Sequence, residues 1–138
     1  MQPDRCDVTD QQPLIPVAWG EVVDRKTILQ IKVERLRAPG AVDNARHELD
    51  RLCAVLNRIT PRPRALDGLE SELREVNRRL WDIEDAIRRK EADQCFDADF
   101  IELARSIYRI NDERARLKRE ISLLLGSDII DEKQYEPY

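Results

Sequence analysis

Aromatic residues make up only 5% of the 138-residue chain, which also has just 4 glycines, 3 cysteines and 1 histidine. Each scarcity removes a class of protein. With few aromatics and 38% charged residues, a β-sheet core has little to build from, and long solvent-laced helices fit better. Cys6, Cys53 and Cys95 are odd in number and far apart. They form no CxxC pair and have no histidine at ligand spacing, which argues against a disulfide framework and a zinc site. The glycines form no phosphate-cradling loop. His47 has no Ser or Cys partner at a recognisable spacing and reads as a surface residue. No apolar run approaches the ~20 residues of a membrane span, and residues 1–12 lack the apolar stretch of a secretory signal. The expectation is a cytoplasmic protein with no membrane span. The net charge of −4 is mild, and nearly every Arg has an acidic neighbour within one helical turn. Nucleic acid, whose backbone demands a net basic face, is not an expected partner.

What the chain has is apolar periodicity. Leu66, Leu69, Leu73, Val76, Leu80, Ile83 and Ile87 recur at alternating spacings of three and four. Phe100, Leu103, Ile107, Ile110, Leu117, Ile121 and Leu124 keep the same beat, with Arg114 where one apolar residue is due. This predicts two long amphipathic helices, over 66–92 and 97–125, folded back near Cys95 as an antiparallel, coiled-coil-like hairpin. Asp97 is placed to cap the second arm and Gly126 to end it.

Two shorter helices are expected to pack on that hairpin. Gly20, Glu21 and Asp24 read as the start of one over 21–37, with acids in its first turn. The alternation of Leu29, Ile31 and Val33 also fits a strand, but both flanks carry helix punctuation and no partner strand is evident. Pro39-Gly40 reads as its stop. Val42, Ala45, Leu49, Leu52, Leu56 and Ile59 predict a second short helix over 42–59, and Thr60-Pro61-Arg62-Pro63 then breaks the chain. Residues 1–12 read as a disordered tail, and residues 13–138 as a single helical domain. Leu14 to Trp19, with Pro13 before it and Pro16 within it, form an extended segment, with Trp19 packed on the bundle. In the tail, 127–138, Ile129, Ile130 and Tyr135 are expected to pack back on it.

A polar stripe beside the seams marks where a site would lie. With the turn near Cys95, Asn77, Trp81, Asn111 and Arg114 share one layer, and Glu84, Asp85 and Tyr108 the next. Arg88 and Lys118 continue the stripes. One reading is a polar cluster that fixes helix register. In that case Arg114→Leu leaves the fold intact. The other is a pocket in which Arg114, with Lys118 or Lys32, holds an anionic group between Trp81 and Tyr108. The acid pairs Glu72/Glu75 and Asp82/Asp85 have the spacing with which helical pyrophosphohydrolases bind Mg²⁺, but most acids here alternate with Arg on outward positions. No catalytic residue, metal ligand or cofactor is assigned.

Several blocks also carry a family resemblance. Pro16-Val17, Trp19-Gly20-Glu21, Thr27 to Lys32 and Glu34-Arg35 form one; Leu80 to Asp85 with Ile87-Arg88 a second. Phe100 to Arg105 with Tyr108, Asn111-Asp112 and Arg114 make a third, and Asp131 to Tyr135 a fourth. Over Leu14 to Tyr138 the chain resembles a bacterial family of small helical proteins, a domain of unknown function. Its members tend to be encoded near, or fused to, glycosyltransferases of lipopolysaccharide and capsule synthesis. The resemblance places polar motif residues at Lys32, Trp81, Glu84, Asp85, Arg88, Asn111, Asp112, Arg114 and Lys133. Members commonly have Ser where this chain has Trp19. The resemblance implies a role in surface-polysaccharide assembly and transfers no catalytic residue.

The expected function is therefore a non-catalytic accessory or interaction protein of surface-polysaccharide biosynthesis, homodimeric, with a glycosyltransferase as possible partner. The alternatives are an enzyme or binding protein for a phosphorylated or nucleotide-linked sugar, and a purely structural coiled-coil scaffold.

Overall fold

The apolar three-four spacing becomes helix throughout, and the chain breaks where proline or a left-handed residue intervenes. A computed structural model describes residues 12–138 as four α-helices, with no strand among the described residues. They are α1 (Trp19–Arg35), α2 (Pro39–Leu56), α3 (Arg64–Ala92) and α4 (Ala98–Leu124). The all-helical class is thus established. All of the expected disordered segment except Gln12 lies outside the described residues.

The boundaries correct the sequence reading in instructive places. Pro39 was expected to stop α1, yet it begins α2, where its missing N–H and preset φ suit the first helical turn. That moves the start of α2 three residues forward, while its end falls at Leu56, leaving Ile59 off the helix but packed against the core. α3 starts at Arg64, with Pro63 as its N-cap residue. At its far end Gln94 takes φ 52°, and the Cys95 N–H donates to the Lys90 carbonyl at 2.9 Å. α4 closes in the same way at Gly126, φ 69°, with the Ser127 N–H donating to the Ser122 carbonyl at 2.9 Å.

α1 is the hub. It packs against α2, α3 and α4, whereas α2 packs against α1 alone, so only one of the two shorter helices lies on the α3–α4 pair. The reason is that α1 is apolar or small on more than one side. Gly20, Val23, Asp24, Thr27 and Ile31 are buried at three-four spacing, and Leu29 is buried away from that stripe. Gly20 fixes how closely α1 approaches α4: an added Cβ would lie 2.0 Å from the Lys118 carbonyl oxygen and 2.7 Å from Ser122 Oγ. Ala18 gives α1 no side-chain cap. Instead Ser122 Oγ accepts from the Gly20 N–H and Ser127 Oγ from the Trp19 N–H, both at 2.9 Å. Two hydroxyls, one near the end of α4 and one just beyond it, thus satisfy the first two amides of α1.

The core comprises Val23, Leu56, Leu66, Leu73, Val76, Ile110, Leu117 and Ile121, with Trp19 packed at its edge. All its α3 and α4 members lie at the ends remote from the 93–97 turn. From Arg78 to Arg109, through the outer parts of both long helices, no residue is buried. The N-terminal segment is more open still, with Leu14 at 93% and Ile15 at 74% exposure. The tail departs from expectation as well. Ile130 is half-buried, but Ile129 and Tyr135 are exposed, because the tail runs extended over α4 and beneath no other element. It is held there by Arg119–Glu132, by Tyr138 Oη donating to Asp112 at 2.6 Å, and by an edge-on Tyr108–Tyr138 contact at 5.0 Å.

Candidate functional site

Where α1 crosses the α3–α4 pair, a buried carboxylate organises the contact. Asp24 is 1% exposed. Arg114 grips it from α4, Nε to Oδ1 at 2.9 Å and Nη2 to Oδ2 at 2.5 Å. From α3, Asn77 Nδ2 donates to Asp24 Oδ1 at 2.9 Å and to Thr27 Oγ1 at 2.8 Å. Thr27 in turn donates its hydroxyl proton to the Asp24 carbonyl at 2.7 Å. Every polar group of Asp24 thus has a partner, and three helices meet in one network. The Asp24 hydrogen bond, opposed by burial, holds the Arg114 guanidinium above its ordinary pKa, so Arg114 stays a cation.

Arg114 was expected to share a layer with Asn77, and the two do meet, but on Asp24 of α1, a partner the sequence reading did not name. Two of its five donors are committed there and its charge is balanced by a buried carboxylate, which weakens its pull on a second anion. Lys118 is spent as well, 2.7 Å from Glu21. A second ionic knot lies further down α1. Glu70, 5% exposed, is approached by Lys26 Nζ at 2.5 Å, Arg62 at 3.1 Å and Arg74 at 3.9 Å. Its Oε1 is a close ion pair to Lys26 without good hydrogen-bond geometry.

Beyond the Asp24 network the same face opens into a groove of about 590 Å³ lined by Ile28, Leu80 and seven of the sequence candidates. Those seven are Asn77, Trp81, Glu84, Asp85, Arg88, Asn111 and Arg114. Within it Arg88 lies 3.4 Å from Glu84, and its side chain is 78% exposed. Tyr108, expected in that layer, instead lines a second recess with Asp112, Tyr135 and Tyr138, which Asn111 shares. It is drawn there by the edge contact with Tyr138. Lys118 and Lys133 line a small third recess of about 180 Å³ beside Glu21, Asp131 and Glu132. Lys32 lines none of the three, so the cations proposed to hold an anion together do not converge.

Sequence reading missed Asp24, Thr27, Glu70, Gly20 and Ser122. For α1 a signal existed: Gly20, Asp24, Thr27 and Ile31 recur at four, three and four, a small-and-polar stripe on one helical face. Nothing in the sequence tied Ser122 to a helix 102 residues away.

Among the described residues no group of three or more His, Cys, Asp or Glu is placed to hold a metal ion, and no helix is long and apolar enough to cross a membrane. No curated protein and no solved structure matches the chain. One family does, over residues 15–138, reaching from the segment before α1 to the last residue of the tail: the chain belongs to a family of unknown function, DUF6165.

Proposed function

We propose that the chain is a non-catalytic interaction module, an accessory protein of bacterial surface-polysaccharide assembly that works in the cytoplasm beside a glycosyltransferase. The α3–α4 pair, taken as a long antiparallel hairpin with a coiled-coil-like seam, is its rigid arm, and self-association is part of the role. One observation carries the reading. The polar residues best placed for chemistry, Asp24, Asn77 and Arg114, are consumed in joining three helices, while the groove beside them lies open and mixes apolar and charged side chains as a protein-docking face does. The glycan association rests on the family resemblance alone.

A nucleotide-linked or phosphorylated sugar is a poorer fit, because its phosphate calls for cations with unbalanced charge, and in the groove Arg114 is balanced by Asp24 and Arg88 lies beside Glu84. The test has two arms. Removing the chain from its host is expected to change the amount or length distribution of lipopolysaccharide or capsule, with wild type restoring it; unaltered glycan contradicts the reading. Melting curves with nucleotide sugars, with and without Mg²⁺, are expected to coincide with the apo curve. A saturable upward shift contradicts a non-catalytic role.

A further inference from the structure

The face of the α3–α4 pair that receives α1 is only half used. Over the inner part α1 lies on it and the core forms. Over the outer part α1 reaches no further than Glu34 on Arg78 and Arg35 on Asp82, the tail touches only the Tyr108 end, and no residue from Arg78 to Arg109 is buried. Two helices side by side cannot bury an apolar stripe on their shared face without a third layer.

The outer face has the composition of a helix-packing surface. On α4, Phe100, Ala104, Ile107 and Asn111 recur at four, three and four; the first three are half-buried with no other helix above them, and Ile107 and Asn111 also border the recess beside the tail. On α3, Trp81, Glu84 and Arg88 recur at three and four, and all three line the open groove. Ala104 leaves a shallow place on the α4 stripe. At the tip Phe96 meets Phe100 edge-on at 5.2 Å, while Phe96 is 54% and Ile101 56% exposed.

The charges on this stretch say what covers it. Asp82, Glu84 and Asp85 precede Ala86, and Arg88, Arg89 and Lys90 follow it, Asp82 being paired to Arg35 and Lys90 to Asp97 within the chain. The order is self-complementary under reversal: an antiparallel copy of α3 aligned at Ala86 sets Glu84 opposite Arg88, and Arg88 opposite Glu84. A two-fold axis produces that alignment, and an isologous contact requires it. A single-sign face would repel a second copy of itself, whereas this order fits one.

We infer that the outer halves of α3 and α4 bind the same surface of a second copy of this chain. The contact is face to face across a two-fold axis at the level of Ala86, with Glu84 and Arg88 paired between subunits. The four helices then form a short bundle with Trp81, Phe100, Ala104 and Ile107 in its layer. Two helices, each ~10 Å across and ~20 Å long in their outer halves, offer a projected face of ~400 Å². Side-chain ridges raise its accessible area towards the ~800 Å² that each partner of a stable dimer contributes. The inference deepens the interaction-module reading by naming the partner of its open groove; if self-association fails, the glycan phenotype still decides that reading.

Light scattering of the full chain at tens of micromolar, with circular dichroism of each sample to verify the helices, is the experiment. Wild type is expected at twice 16.2 kDa. Glu84→Arg and Arg88→Glu each set like charges opposite one another at two places across the axis, so each alone is expected to be monomeric. Mixed in equal amounts, they are expected to give a dimer, because every cross-subunit pair is then opposite in sign. The mixture separates the interface from the contact within one helix, since mixing cannot repair the 84–88 pair inside either chain. A monomeric wild type, a dimer that survives both single reversals, or a mixture that stays monomeric overturns the proposal. Ala104→Arg, on the other arm of the face, is a second route: a dimer unaffected by it overturns the proposal equally.

Discussion

The inner and outer halves of α3 and α4 share one sequence rule and have different fates. Both keep the three-four apolar beat, yet Leu66, Leu73, Val76, Ile110, Leu117 and Ile121 are buried whereas Ile83, Ile87, Phe100, Leu103 and Ile107 are not. The difference is α1. Where it lies across the pair a third layer exists, and a carboxylate, an amide and a guanidinium lock that layer in place. Periodicity therefore gives a helix its apolar face, and only a further element gives that face an interior.

The strongest way to break the inner half is to leave Asp24 without its partner. Arg114→Leu, which looked harmless when Arg114 was read as a lone charge in a seam, strands a carboxylate that is 1% exposed. Denaturant titration should show a loss of about 4 kcal/mol. Replacing both members, Asp24→Leu with Arg114→Met, should recover most of it, since a buried ion pair is often replaceable by apolar groups of similar volume. Gly20→Ala comes next. A Cβ 2.0 Å from the Lys118 carbonyl forces α1 off α4, and the cost should be about 3 kcal/mol by the same titration.

The comparison itself is sharpened by one substitution made twice. Leu73→Ala, at a fully buried position, should cost about 3 kcal/mol, while Leu103→Ala, half-buried in the outer part, should cost about 1 kcal/mol. Equal losses in dilute protein would mean that the two halves do not differ as described.

The smallest effect lies at the turn. The Lys90 ammonium and then the Phe100 N–H hold the Asp97 carboxyl down to about 2. Because its folded value lies below that of the unfolded chain, ~4, its contribution is complete above pH ~4 and is lost as the pH falls towards ~2. Asp97→Asn should flatten that part of the melting temperature against pH profile relative to wild type and leave the neutral-pH helix content unchanged.

How much of this was legible follows from the kind of information each feature needs. The four helices were readable because amphipathic spacing is local. Seven of the polar candidates line one groove because five of them recur along α3 and the other two lie on α4, which packs against it. The partner of Arg114 was not readable, since Asp24 lies 90 residues away and an acid in a first helical turn has an adequate explanation in the helix dipole. Pro39 was read in the wrong sense because proline both ends one helix and opens the next, and only the length of the connection decides. The exposure of Ile129 and Tyr135 was missed because apolar residues in a tail say nothing about whether a surface is free to receive them.

The claim that the outer halves are an interface, and not merely a thin region of the fold, is tested most directly by amide hydrogen exchange of wild type at two concentrations, one below and one above self-association. The account predicts that amides of the outer halves, between Asp82 and Tyr108, exchange more slowly in the concentrated sample, while those around Leu73, Val76 and Leu117 exchange equally in both. Protection of the outer halves that does not change with concentration would contradict it.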